Sequence, residues 1–301
     1  MNREIDIALG FDGRYAPHVA ASIASIIRCS VGAPIRFIIL CTDVSIHLRE
    51  KIQNLARNSR FIWIDVKEDD LPSFSDRGHF NRTTLFRLGL EKLAPADSRR
   101  VLYLDSDIIV LNDIRELWNV DLGAYPIGAI VDAYVNPVAF AERWQLSPAS
   151  NYFNAGVLLI NLDRVRIEGT FSATIDFLQR HGQDLAFNDQ DALNCVFWNR
   201  WRPLDIIWNV QRHMVISSLE KDLSVDKRLN GRYPALVHYT GPEKPWLPKG
   251  YHPWAWLYWK NLAQTPFASE VANSNNMNFY RRIRLWQRWL RQRPSQIGAW
   301  H

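Results

Sequence analysis

Apolar runs alternate with segments of helical spacing along the first half of the chain. Ile5 to Leu9 is an apolar run with one acid that closes into Gly10-Phe-Asp-Gly-Arg-Tyr15, and Val19 to Ile27 then carries apolar residues at helical spacing. Ile35 to Leu40 reads as a second strand, Ser45 caps a helix running to Leu55, and Phe61 to Val66 reads as a third strand. This βαβαβ rhythm predicts an α/β fold with a parallel sheet and right-handed crossovers. Leu71 to Asn81 holds Pro72, Gly78 and His79 without periodicity, which predicts a loop and a candidate lid; Thr83 to Leu93 resumes a helix.

The next run, Val101-Leu-Tyr-Leu-Asp-Ser-Asp-Ile-Ile-Val-Leu111, reads as a strand buried on both faces, interrupted by two aspartates. Ionised carboxylates in an apolar setting are costly unless paired, hydrogen-bonded or bound to a cation, so Asp105 and Asp107 are expected where the strand emerges. Two hard oxygen ligands at that spacing suit Mg²⁺ or Mn²⁺, whose coordination substrate phosphates usually complete, and the implied partner is a diphosphate. Open α/β sheets bind ligands at the carboxyl ends of their strands, the place this pair would occupy. By itself Asp-x-Asp also marks ordinary turns, and its apolar flanks are what make it informative here.

Tyr125 to Val131 is a further apolar run ending at Asp132, and Tyr152-Phe-Asn-Ala-Gly-Val-Leu-Leu-Ile-Asn161 is a strand entered through small residues. Asn188 to Phe197 reads as a helix whose acidic first turn suits the helix dipole without any function. Ala235 to Tyr239 is a short strand ending in His238, followed by the loop Gly241-Pro-Glu-Lys-Pro-Trp246. Each polar residue has a structural alternative: Asp12 as a helix cap, Arg87 on a solvated helix face, His238 as a satisfied core histidine.

Composition narrows the classes. The 301 residues, 47% hydrophobic, can form one large α/β domain, and no run of 18 uncharged apolar residues and no hydrophobic leader at the start points to a membrane span or signal peptide. A cytosolic protein is expected. Cys29, Cys41 and Cys195 lie in apolar stretches without metal-ligand spacing, as reduced core thiols do. The net charge of +5 is local: six arginines and no acid lie between Arg281 and Arg293, so the rest carries −1, which disfavours a nucleic-acid-binding catalytic body.

Taken together, Leu104-Asp-Ser-Asp107, Tyr152 to Asn161, Asp189-Gln-Asp-Ala-Leu-Asn194 and His238-Tyr-Thr-Gly-Pro-Glu-Lys-Pro-Trp246 resemble the signature blocks of family 8 retaining glycosyltransferases, the branch that includes bacterial lipopolysaccharide galactosyl- and glucosyltransferases. The resemblance implies a GT-A fold, a mixed and mainly parallel sheet flanked by helices, over residues 1–250, in which Mn²⁺ (or Mg²⁺) bridges Asp105, Asp107 and His238 to the diphosphate of a UDP-hexose, UDP-galactose or UDP-glucose. It further implies that Gly10, Asp12, Tyr15, Leu104 and Ser106 contact the nucleotide, and that Gly241 and Lys244 close over the phosphates. Arg87, Asn154, Asp189 and Gln190 would surround the donor sugar, the last two and Arg87 in the catalytic set, with Asp132 near the saccharide acceptor. Gly13-Arg14 departs from the Asp-Asn that close relatives tend to carry, a change that bears on base recognition. Gln190 takes the position under the anomeric carbon, and an amide is a poor nucleophile, which favours same-face attack over double displacement through Asp189.

Residues 251–301 read as an aromatic and basic helical extension. Tyr251 to Trp259 is dense in aromatics, and Phe279, Ile283, Trp286 and Leu290 form an apolar stripe among arginines, as in a helix lying on an anionic membrane surface. That places the protein peripherally on the inner face of the cytoplasmic membrane, beside a lipid-linked acceptor. Two other classes stay open from residues alone: a metal-dependent nucleotidyltransferase, for which no Gly-rich triphosphate loop is found near the N-terminus, and a non-catalytic membrane- or nucleic-acid-binding module resting on the basic tail.

Overall fold

Two strands buried by their own apolar composition, β1 (Ile5–Asp12) and β2 (Ile35–Thr42), start the architecture with the half-buried edge strand β3 (Arg60–Asp65), all paired in parallel. The computed structural model describes residues 4–71, 82–132, 134–147, 150–215, 229, 232–248, 250, 252–275, 277, 278, 280, 281 and 283–287. Helix α1 (Ala16–Cys29), entered with proline in its first turn, and α2 (Ile46–Gln53), capped by the Ser45 side chain, make the crossovers. After α3 (Phe86–Leu93) the chain returns to the other side of β1 as β4 (Arg100–Leu104), with Leu104 opposite Leu9. The order of the seven-stranded sheet is β3-β2-β1-β4-β7-β6-β8, with β6 (Ile127–Val131), β7 (Phe153–Asn161) and β8 (Trp201–Pro203) completing it. Only β7 runs against its neighbours, so the sheet is mixed and mainly parallel, as expected. Strand order reverses between β1 and β4, which opens a crevice at their carboxyl ends.

The run from Val101 to Leu111 is not one strand. Two carboxylates and a serine cannot be taken into the sheet interior, so the chain turns at residues 105–107 and leaves β4 for β5 (Ile108–Val110) in a second, three-stranded sheet. There β5 pairs antiparallel with β10 (Leu236–His238), which pairs in parallel with β9 (Val210–Gln211). Helix α1 holds the turn: Ser22 Oγ donates to Ser106 O and Ile108 O (3.2 and 2.6 Å), and Val110 N donates to Ser25 Oγ (2.9 Å).

One face of the large sheet packs on α1, the small sheet and the aromatic segment, the other on α3, α6 (Leu162–Glu168), α7 (Thr170–His181) and α8 (Asn188–Val196). The short helix α4 (Ile114–Trp118) follows β5, with the Asp113 side chain capping its start. A further helix, α5 (Pro137–Trp144), covers the start of β7. The aromatic stretch is core: Trp254 and Tyr258 are buried, and α9 (Ala255–Leu262) lies on α1, followed by α10 (Ala268–Ser274). Residues 280, 281 and 283–287 are helical, with Trp286 exposed. The lid candidate, apart from Leu71, and the stripe residues Phe279 and Leu290 lie outside the described residues. No helix among the described residues is long and apolar enough to cross a membrane.

Candidate active site and cation centre

Register brings the ligand candidates together. His238 pairs with Ile108 at the end of β10, facing the turn between β4 and β5, and its Nε2 lies 3.2 Å from Asp107 Oδ1 and 3.7 Å from Asp105 Oδ2. Among the described residues, Asp105, Asp107 and His238 form a group whose ligand atoms all lie within 4.8 Å of one another. The turn is fastened at both ends: Asp105 N donates to Gly156 O (2.8 Å), Tyr239 N to Asp107 O (3.0 Å), and Ser106 Oγ to Gly10 O (2.7 Å). Gly156 is required by space. A Cβ there would stand 2.2 Å from His238 Cε1 and 2.8 Å from Asp105 Oδ2.

The donor set fits a hard divalent cation: two carboxylates and one imidazole nitrogen. Asp105 offers one oxygen, since Tyr103 Oη (2.9 Å) and Arg87 Nη2 (3.1 Å) hold Oδ1. Burial would push the Asp107 carboxyl up, but Lys244 beside it, joined by His238 whenever that ring is charged, outweighs burial and holds it well below the ordinary carboxylate range. Lys244 Nζ donates to Asp107 and to Tyr239 O (2.8 Å). Its loop starts at Gly241, whose φ of +80° suits a residue without Cβ, and is packed by Trp246, stacked on His18 at 3.7 Å. Burial drives His18 down to about 3, so it stays a neutral ring, bonded through Nδ1 to Tyr258 Oη (2.7 Å). Trp259 Nε1 and Arg281 both donate to Pro245 O, and Arg281 also to Leu247 O, tying this loop to the C-terminal helices.

A second set of side chains lies alongside. Arg87 is buried; its Nε donates to Thr84 O (3.0 Å), it donates to Ala155 O, and its guanidinium lies 4.8 Å over the Tyr103 ring. Burial opposes its charge, but Asp105, Tyr103 and Asp189 overcome this and hold it firmly cationic. It therefore bridges the cation group to Asp189, whose Oδ2 is 3.1 Å from Nε. That contact is Coulombic rather than a hydrogen bond, because the Nε hydrogen points at Thr84 O and Asp189 Oδ2 has no hydrogen-bond partner. Burial, only partly offset by Arg87, lifts the Asp189 carboxyl to about 6.

Residues 189 and 190 are placed by their neighbours on α8. Asp191 accepts from Tyr152 Oη (2.5 Å) and from Ala186 N and Phe187 N (2.8 and 2.9 Å), while Asn194 exchanges hydrogen bonds with the Phe153 backbone (2.8 and 2.9 Å). The acidic first turn is thus buried, with Asp189 and Asp191 both turned inward, and its role goes beyond the helix dipole. Gln190 Oε1 accepts from Asn154 Nδ2 (3.1 Å) and Ala155 N (3.0 Å), and Gln190 Nε2 donates to Asp132 Oδ2 (3.2 Å). Asn154 Nδ2 also donates to Asp132 Oδ2 (3.1 Å).

Toward the carboxyl ends of β1 and β4, Gly10 and Leu104 lie on neighbouring strands. Asp12 is engaged as a cap, accepting from Arg14 N (2.9 Å) and Tyr15 N (3.3 Å) and pairing with the Arg14 side chain (2.7 Å). A cleft of about 430 Å³ opens there, lined by Asp12, Gly13, Arg14, Thr42, Asp43, Leu48, Arg82 and Thr83. Tyr15 meets Trp246 edge to face at 6.0 Å; burial, then Asp107, pushes its hydroxyl up to about 12. Sequence reasoning missed Tyr103 and Asn209, both buried and both bonded to cation-ligand candidates, because an apolar-run tyrosine and an isolated asparagine carry no motif.

A family model described as glycosyl transferase family 8 matches residues 6–250. General stress protein A of Bacillus subtilis is 28% identical over 201 residues, 63% of this chain and 68% of that protein. The lipopolysaccharide 1,3-galactosyltransferase of Salmonella typhimurium is 26% identical over 276 residues, 88% of this chain and 80% of that protein. The fold matches a crystal structure of galactosyltransferase LgtC in complex with donor and acceptor sugar analogues, with a TM-score of 0.77 and 27% identity over 90% of this chain and 100% of that one.

Proposed function

From the premise that the chain belongs to glycosyl transferase family 8, we propose that it transfers galactose or glucose from a UDP-sugar to a saccharide acceptor in surface-glycan synthesis, with retention at the anomeric carbon and dependence on Mn²⁺ or Mg²⁺. The carrying observation is the convergence of Asp105, Asp107 and His238 beside Lys244, with the buried floor of Arg87, Asn154, Asp189 and Gln190 next to it. Family membership selects glycosyl transfer over nucleotidyl transfer and over a non-catalytic basic module. The galactosyltransferase relatives support a hexose donor.

Asp105, Asp107 and His238 would hold the cation, which when bound neutralises charge on the departing diphosphate. Lys244, now on Asp107, is placed to move onto a phosphate oxygen and add to that neutralisation as the C–O bond breaks. Tyr15 and the cleft beside Asp12 receive the uridine, Leu104, Ser106 and Gly10 line its diphosphate side, and Gly241 lets the loop close. Gln190 spends its carbonyl oxygen on Asn154 and Ala155, and Asp189 faces Arg87, so neither is arranged as a nucleophile. The acceptor hydroxyl therefore attacks from the face the diphosphate leaves: UDP departs with the bonding electron pair, its phosphate takes the hydroxyl proton, and the acceptor oxygen bonds to the anomeric carbon. Asp132 orients the acceptor, and the exposed Tyr134 ring, within 6.2 Å of Phe187 and 5.8 Å of His213, offers an aromatic face for a sugar. The basic helix, with Arg284 and Trp286 exposed, would lie on the inner, anionic membrane face beside a lipid-linked acceptor.

The test is UDP release from a donor panel with Mn²⁺, Mg²⁺ or chelator, followed by product mass and anomeric configuration by NMR. Asp105→Asn and Asp107→Asn should each abolish release. Full activity in excess chelator would overturn the cation role, and an inverted product would overturn the mechanism.

A further inference from the structure

A single backbone amide determines how the imidazole of His238 carries its proton. Gly156 N donates to Asn154 Oδ1 (3.0 Å), which identifies that atom as the amide oxygen. Asn209 lies 2.9 Å from the same oxygen, so it approaches with its NH₂ group, and its own Oδ1 is thereby turned toward His238 Nδ1, 3.0 Å away. An oxygen there can only accept, so the proton sits on Nδ1 and Nε2 is the atom facing Asp105 and Asp107. Without this constraint the two carboxylates would draw the proton of the neutral ring to Nε2, the tautomer that blocks a cation.

We propose that Asn209 is a positioning residue that sets the His238 tautomer for cation binding and links the cation ligands to the sugar-facing floor through Asn154. The placement is built in. Asn209 is fully buried at the end of a 3₁₀ turn (Ile206–Asn209) capped by Asp205, and the following strand β9 pairs with β10 so that Gln211 stands opposite His238. From Asn154 the relay continues to Asp132 and Gln190, at 3.1 Å each. Partners of this kind around a cation ligand are typically worth roughly 10- to 100-fold in metal affinity. The inference rests on the cation reading of Asp105, Asp107 and His238.

Asn209→Ala removes both bonds, whereas Asn209→Asp keeps an acceptor for Nδ1–H but has no donor for Asn154. Mn²⁺ affinity, read from the free-ion electron paramagnetic resonance signal, should fall roughly 10- to 100-fold in Asn209→Ala and stay within about 3-fold of wild type in Asn209→Asp. At saturating Mn²⁺, Asn209→Asp should still turn over more slowly, with donor KM little changed. Histidine ¹⁵N NMR of the metal-free protein, at a pH where the ring is neutral, should place the proton on Nδ1 in wild type and Asn209→Asp, and on Nε2 in Asn209→Ala. A wild-type proton on Nε2, or a folded Asn209→Ala that binds Mn²⁺ like wild type, overturns the proposal. Failure of wild type itself to bind Mn²⁺, with the proton still on Nδ1, overturns the cation reading beneath it instead.

Discussion

Gly156→Ala is the smallest change that should disable the cation centre. Its Cβ would stand 2.2 Å from His238 Cε1, 2.8 Å from Asp105 Oδ2 and 2.9 Å from His238 Nδ1, against ordinary contact from 3.4 Å, so something must move by about 1.2 Å, the difference of the first and last of these. Nothing nearby yields easily. The Gly156 carbonyl holds Asp105 N, the adjoining Val157 pairs with Leu104 of β4, and His238 is held by β5, β9 and Asn209. Overpacking of this kind costs about 1–3 kcal/mol, which in a chain of this size lowers Tm by several degrees. The functional loss should be larger, because a ligand displaced by about 1 Å cannot serve a cation that demands oxygen or nitrogen at about 2.0–2.3 Å. Calorimetry and Mn²⁺ titration of the same sample separate the two effects: a modest drop in Tm with affinity reduced roughly 100-fold or more. A folded variant with wild-type Mn²⁺ affinity would refute the close approach of β7 to His238.

Three further outcomes are expected. Gln190→Ala should lower kcat roughly 10- to 100-fold and leave UDP affinity nearly unchanged, since its contacts are with Asn154, Ala155 and Asp132 rather than the nucleotide end; a matching loss of UDP binding in a titration would contradict this. Because burial lifts the Asp189 carboxyl to about 6, above its unfolded value, the stability it contributes is complete at low pH and lost as pH rises through about 6, so Asp189→Asn should gain Tm relative to wild type at pH 8 but not at pH 4. Deletion of 288–301 should weaken sedimentation with anionic vesicles while UDP affinity holds, whereas truncation before Asn278 should also weaken UDP binding several-fold, because Arg281, which braces Pro245 and Leu247 beside Lys244, goes with it; equal UDP affinity of the two truncations would discount the brace.

Much of this was legible in residue order. Apolar runs bounded by glycine and caps located β1 to β4, β6, β7 and β10: all but the half-buried edge strand β3 are largely buried, and strands buried on both faces have little other composition available. Asp105 and Asp107 stood out for the same reason, as charges where an apolar run should continue. What periodicity could not supply was the division of that run between two sheets, since Ile108 to Val110 is as apolar as Val101 to Leu104 and pairing partners are chosen in three dimensions. Apart from the family resemblance, nothing around Arg87 distinguished it from a base on a solvated helix face, because its carboxylate partners, Asp105 and Asp189, come from elsewhere in the chain. Asn209 was silent, since its meaning lies entirely in whom it faces.

The turn at residues 105–107 joins strands of different sheets, while His238 arrives from late in the chain. Its contact with Asp107 closes a long loop, and such contacts form late in folding because chain entropy opposes them. If β10 slipped by one residue against β5, His238 would turn to the opposite face and leave two carboxylates with no imidazole. A cation bound by all three residues acts as a staple across the seam, favouring the native pairing by about 2.7 kcal/mol at a hundred times its Kd. If transfer depends on such an ion, as proposed, newly made chains would be sorted by their own substrate chemistry, because the ion would hold tightly only to molecules whose second sheet has paired in register.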